Sequence, residues 1–119
     1  MFKIKRLIKS FSYAHKGLLK TLHEEQNLKI QIFVAFIVLI LAIYLHLSRL
    51  EFVILIIVIG LVILMEIANS ALELVTDILK PRLDIYVKEV KDIAAAAVLV
   101  SSLLAIAVGV LIFWPHFFN

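Results

Sequence analysis

Three carboxylates, an amide and a hydroxyl fall within one short segment, MEIANSALELVTD, where Glu66, Asn69, Ser70, Glu73 and Asp77 follow the apolar run Phe52–Met65. On an α-helix each residue advances about 100°, so all five side chains lie within about 60° of Glu66 and share one face. Ile67, Ala68, Leu72, Leu74, Val75 and Ile78 are left for the opposite, greasy side. Paired carboxylates with an amide suit a hard divalent cation, because Mg²⁺ takes oxygen ligands and is usually held by one or two carboxylates plus substrate phosphates. Glu66 and Glu73 stand two turns apart, about 10 Å along the axis. That is too far for both to ligate one ion without a bridging group, so metal binding and proton transfer are divided between them. Glu66 follows the apolar run directly, a place where burial suits a general base. The bland alternatives are polar pairing with neighbouring helices or a solvated extension of the helix. Ionisable groups at membrane depth are costly and usually functional, which favours chemistry. Asp77, near the end of the segment, is either a supporting polar group or a surface charge.

The remaining chemistry-bearing residues narrow the choice. With three glycines, Gly17, Gly60 and Gly109, and no GxxxxGK[ST] arrangement, the chain has no P-loop, so any phosphate is met by metal and lysine. Lys91-Asp92 offers a cation for phosphate beside a carboxylate, or is an ordinary boundary pair. His15, His23, His46 and His116 show no paired ligand spacing, and cysteine is absent, so histidine and thiolate metal sites are not expected.

The elements that must hold these residues are membrane helices. The chain has 119 residues, 64% of them hydrophobic, and a mean hydropathy of +1.10. A soluble domain of this size is roughly half apolar. Three apolar stretches carry the signal: Ile30–Leu47, Phe52–Met65 and Ile93–Trp114. The first and third can each cross roughly 30 Å of hydrocarbon. The middle one is short, so its helix is expected to continue through Glu66 and Asn69. Pro81 then ends it near Lys80, since the residue before proline is pushed out of the helical region. Ahead of the first span, Phe2, Ile4, Leu7, Ile8, Phe11, Ala14, Leu18, Leu19 and Leu22 recur at three- and four-residue intervals, with lysines mostly on the other side. This predicts an amphipathic helix in the membrane interface.

The expected organisation is one all-α integral membrane domain over 1–119: a surface helix over 1–26 and membrane helices over 27–47, 52–80 and 92–114. Leu47–Glu51 forms a tight outer connection, and a short polar loop with Arg82, Asp84, Lys88, Glu89, Lys91 and Asp92 precedes the third span. The run Ala94–Ala97 lets helix backbones approach closely. No cleavable signal peptide is visible in the mixed, basic opening Met1–Gln26. Lys and Arg cluster before the first span and between the second and third, which places the N-terminus in the cytoplasm and the C-terminus outside. Trp114 and Phe117 fit an interfacial aromatic belt.

The segment Glu66-Ile-Ala-Asn69-Ser70-Ala71-Leu-Glu73-Leu-Val-Thr-Asp77 resembles the signature of the prokaryotic diacylglycerol kinase and undecaprenol kinase family, E-x-x-N-[ST]-[SA]-[LIV]-E-x-x-V-D, with Val75 and Thr76 ahead of Asp77 departing from its end. Ser12-Tyr13-Ala14-His15-Lys16-Gly17-Leu18, Glu25-Gln-Asn27-Leu28-Lys29-Ile30 and Lys91-Asp92-Ile93-Ala94-Ala95-Ala96-Ala97 extend the likeness over nearly the whole chain. The resemblance implies a small homotrimeric kinase of the bacterial inner membrane that transfers the γ-phosphoryl of ATP to a lipid hydroxyl, with no nucleic acid partner. It implies Glu66 as general base and Glu25 and Glu73 as ligands of the Mg²⁺ that accompanies ATP. Asn69, Asp77, Lys91 and Asp92 complete the polar site, and Arg6 and Gly17 reach the nucleotide from the surface helix. Lys29, Gln31 and the loop Leu83-Asp84-Ile85-Tyr86 depart from the common pattern. Ala94–Ala97 and the ending Ile112-Phe113-Trp114-Pro115 look more like the undecaprenol kinase branch, with diacylglycerol the alternative acceptor. A rival of another class is a non-enzymatic cation-binding membrane oligomer, such as a small channel. The acidic stripe stops at one end of one span, however, and does not continue across Phe52–Met65.

Overall fold

The computed structural model describes residues 3–82 and 84–118. Phe2 and Leu83, named above, lie outside the described residues. Four helices account for nearly all of the rest: α1 Ile4–Glu24, α2 Gln26–Tyr44, α3 Arg49–Leu79 and α4 Asp84–Phe118. The last three are long and apolar enough to cross a membrane. Glu25 breaks the chain between α1 and α2 with extended backbone, φ −97° and ψ 108°, and its side chain caps neither helix. Its carboxylate is therefore free for other work.

The outer connection is tighter than expected. α2 ends in a Schellman turn, in which the Leu47 N–H donates to Ala42 O at 3.1 Å and the His46 N–H to Ile43 O at 3.2 Å. His46 takes the left-handed conformation that this turn requires, with φ 55°. Ser48 then starts α3 at once. Its Oγ accepts from the Glu51 N–H at 3.2 Å while its own N–H donates to the Glu51 carboxylate at 2.9 Å. Arg49–Glu51, expected in the connection, are thus the first turn of α3, because a capping box satisfies backbone donors that would otherwise be orphaned.

α3 runs unbroken through Glu66 and stops where Pro81 demands it: Lys80 is extended, with φ −68° and ψ 138°. The expected polar loop is a correction. From Asp84 onward those charged residues form the opening turns of α4, which also continues past Trp114, through Pro115, to Phe118. A helix does not stop at the membrane edge, since Lys and Glu are good helix formers and water solvates their side chains. α3 and α4 lie antiparallel, tied at one end by Lys91 and Asp77 at 2.8 Å and at the other by His116 and Glu51 at 3.3 Å.

The core is thin. Ala42, Leu55, Val58 and Ile112 pack together where α2, α3 and α4 meet near the turn between α2 and α3. Phe33, Ile37, Ile57, Leu64 and Leu111 face outward, Leu111 at 75% exposure. In water such a surface would be untenable, whereas in lipid it is the ordinary state of a spanning helix.

Candidate functional site

The acidic stripe points inward. Glu66 is 2% exposed, Asn69, Ser70 and Glu73 are half-buried, and Asp77 opens to solvent at the far end. Ala68, Leu72, Val75 and Ile78 are exposed on the other side. Ile67 and Leu74, assigned above to the greasy side, instead flank the stripe and help to line a cavity of about 590 Å³ between α1 and α3. Its polar wall comes from Lys20, Thr21, Glu24 and Glu25 at the α1–α2 break and from Ser70, Glu73 and Asp77 on α3. Gly17 forms part of the same wall. A Cβ added there would meet no protein atom within 4 Å, so packing does not demand glycine, and the missing side chain leaves room in the cavity.

At the deep end of the stripe, Oε1 of Glu66 is sealed from solvent without a hydrogen-bond partner. Its polar neighbours are Asn69, Glu25, Glu73 and Asn27. The Asn69 amide donates to Glu73 Oε1 at 3.4 Å, Ser70 Oγ donates to the Glu66 carbonyl at 3.1 Å, and Thr76 Oγ1 donates to the Glu73 carbonyl at 3.0 Å. At the shallow end Lys91 Nζ donates to Asp77 Oδ1 at 2.8 Å. That hydrogen bond is the main reason the Lys91 ammonium titrates above its usual range, so it is charged at any physiological pH. Among the described residues no three His, Asp or Glu side chains converge on one point. A cation bound here would therefore rest on two carboxylates, water and a ligand's own oxygens, a usual arrangement for Mg²⁺.

Most of the expected site residues come together. Gly17, Glu25, Glu73 and Asp77 share the cavity wall, Glu66 and Asn69 lie beside Glu73, and Lys91 joins through Asp77. Two do not. Arg6 lies eleven residues before Gly17 on α1, about 16 Å along the axis. It lines a separate basic hollow with Lys3, Lys5 and Lys9. Asp92 is exposed, and its side chain joins none of the side-chain hydrogen bonds among the described residues. Asn27 was missed: it stands two residues after Glu25, and only the break at Glu25 turns it toward Glu66.

Comparison with known proteins decides what this arrangement is. The prokaryotic diacylglycerol kinase family profile matches residues 12–113, most of the chain. The chain belongs to the prokaryotic diacylglycerol kinase family. Among its relatives in that family, the undecaprenol kinase of Bacillus subtilis (strain 168) is 33% identical over 113 residues, covering 95% of this chain and 92% of the relative. The diacylglycerol kinase of Escherichia coli (strain K12) is 30% identical over 112 residues, covering 94% and 92%. This member of the diacylglycerol kinase family is accordingly a lipid kinase, a phosphotransferase of the membrane, and the non-enzymatic oligomer is set aside. The family match takes in every candidate site residue except Arg6, which precedes it.

Proposed function

We propose that the protein transfers the γ-phosphoryl group of ATP to the hydroxyl of a membrane lipid alcohol, with undecaprenol favoured over diacylglycerol, at the cytoplasmic face of the bacterial inner membrane. One observation carries this reading: a sealed carboxylate oxygen of Glu66 without a donor, flanked by Glu25 and Glu73, where the polar stripe meets the apolar part of α3. A lipid alcohol brings the missing donor. Glu66 accepts its proton as the alcohol oxygen attacks the γ-phosphorus, and the bond from that phosphorus to the bridging oxygen of ADP breaks, so that the phosphoryl group ends on the lipid. Such transfer depends chiefly on positioning and charge neutralisation.

Glu25 and Glu73 would hold the Mg²⁺ that accompanies ATP, and Asn69 orients Glu73 through its amide. The ion, when bound, neutralises phosphate charge. Gly17 leaves room for the nucleotide, while Lys91, positioned by Asp77, supplies a permanent cation at the open end. Arg6 and Asp92 stand apart from the cavity in the single chain and receive no role. The distribution of Lys and Arg supports a cytoplasmic N-terminus and an external C-terminus. The family resemblance supports a homotrimer, and Ala94–Ala97 with Ile112–Pro115 supports undecaprenol.

The test is direct. Purified protein with Mg·ATP is expected to transfer labelled phosphate to undecaprenol, and more slowly to diacylglycerol, with both acceptors compared in one assay. Transfer to neither would refute the reading.

A further inference from the structure

A second buried oxygen among the described residues also lacks a partner: Oε1 of Gln31. Gln31 lies on α2 one turn beyond Asn27, which neighbours Glu66. It lines an apolar groove of about 520 Å³ between α2, α3 and α4, open on one side, where Val34, Ile106 and Val110 are half-exposed. Ile63, one turn before Glu66 on α3, lines the same groove, which runs outward from there to Leu41 and Leu55. Its Ile63 end therefore lies one helical turn from Glu66, which does not itself line the groove. Apart from Gln31 and the hydroxyl of Ser102, its wall is hydrocarbon and Gly109.

An unpartnered buried acceptor calls for a donor, and here one such acceptor lines the groove while the other, Glu66 Oε1, belongs to the residue one helical turn beyond Ile63 at its end. A ligand that fits brings a hydroxyl and little else that is polar. A polyprenol is such a molecule: one O–H on a chain without further heteroatoms. A diacylglycerol brings its hydroxyl together with two ester groups, and for their oxygens the wall offers as side-chain donors only the Gln31 amide and the Ser102 hydroxyl. Resting on the lipid kinase reading above, we propose that Gln31 determines acceptor specificity, its Oε1 accepting a hydrogen bond from the acceptor hydroxyl as that hydroxyl approaches Glu66, and so favouring a polyprenol over a diacylglycerol.

The experiment measures steady-state transfer by the full-length protein to a short-chain polyprenol and to a short-chain diacylglycerol, with ATP varied separately. Gln31→Leu removes the acceptor and is expected to raise KM for the polyprenol about tenfold. KM for ATP and the thermal midpoint stay at their wild-type values, and KM for the diacylglycerol rises by less than KM for the polyprenol. Gln31→Glu keeps an acceptor while losing the amide donor, and is expected to hold the polyprenol KM within about threefold of wild type. The proposal is overturned if Gln31→Leu leaves the polyprenol KM unchanged, if it raises both lipid KM values equally, or if Gln31→Glu is as impaired as Gln31→Leu. A wild type that prefers diacylglycerol overturns the specificity proposal while the kinase reading stands. A wild type that phosphorylates neither lipid overturns both.

Discussion

The two ends of the α2–α3 hairpin are built on opposite rules. At the outer end, within a few residues, the Schellman turn at His46 and the capping box of Ser48 and Glu51 close the backbone donors and acceptors, and His116 of α4 sits 3.3 Å from Glu51. At the inner end, the carboxylate of Glu66 and the amide of Gln31 each keep a sealed oxygen without a donor, next to a cavity and a groove. Each such orphan costs about 1–3 kcal/mol. A fold tolerates that cost where the rest of the structure holds the groups in place, and α3, one unbroken helix from Arg49 to Leu79, carries the rigidity of the outer end to the inner one. Stability is concentrated where nothing reacts, and unsatisfied polarity where a ligand must bring the missing donor.

Breaking the inner end should produce the largest effect. Glu66→Gln removes the proton acceptor and keeps the shape, so turnover of labelled phosphate is expected to fall about 10²–10⁴-fold. The thermal midpoint should not fall, because no existing hydrogen bond of the Oε1 atom is lost. Retained turnover would refute the assignment of the base. Glu73→Gln comes next. Because Glu73 is one of the two proposed ligands, its loss is expected to raise the Mg²⁺ concentration for half-maximal transfer at least about tenfold. An unchanged metal titration would remove Glu73 from the ligand set.

How much of this contrast was legible in the sequence differs between its halves. The inner stripe was, because helical periodicity alone places Glu66, Glu73 and Asp77 on one face. So was the end of α3, because the constraint before Pro81 is local. The opening of α4 was read as a loop because hydropathy reports the solvent around side chains and says nothing of the backbone they hang from. Ser48-x-x-Glu51 is a capping signature that stands in the sequence and was passed over in favour of the connection around it. Gln31 and Asn27 carry no comparable signal. The place of Asn27 beside Glu66 depends on the break at Glu25, and the sealing of Gln31 Oε1 on the approach of the neighbouring helices, which are tertiary facts. Arg6 rests on the resemblance alone: on α1 it lines another hollow, with Lys3, Lys5 and Lys9.

The outer end should yield smaller effects, confined to stability. Ser48→Ala removes one half of the capping box and is expected to destabilise the protein by about 1 kcal/mol, read by denaturant or thermal unfolding in detergent. Phosphate transfer per folded molecule should be unchanged. A loss of transfer out of proportion to the loss of folded protein would show that the two ends are coupled.

The smallest effect belongs to the charge of Glu51, which precedes the second apolar run. The Ser48 backbone N–H holds its carboxyl below the usual range, and His116 adds to this against a modest opposing cost of burial. A group whose folded value is depressed contributes stability that is present above its unfolded value, about 4.3 for glutamate, and is lost as the pH falls through the folded value. Glu51→Gln keeps an acceptor at the same capping position while removing the charge, since either residue completes a capping box. The difference in thermal midpoint between wild type and Glu51→Gln should therefore be greatest near neutrality and shrink below pH about 4. If the difference persists unchanged into acid, the outer end is held by the shape of the cap and owes nothing to the carboxylate charge.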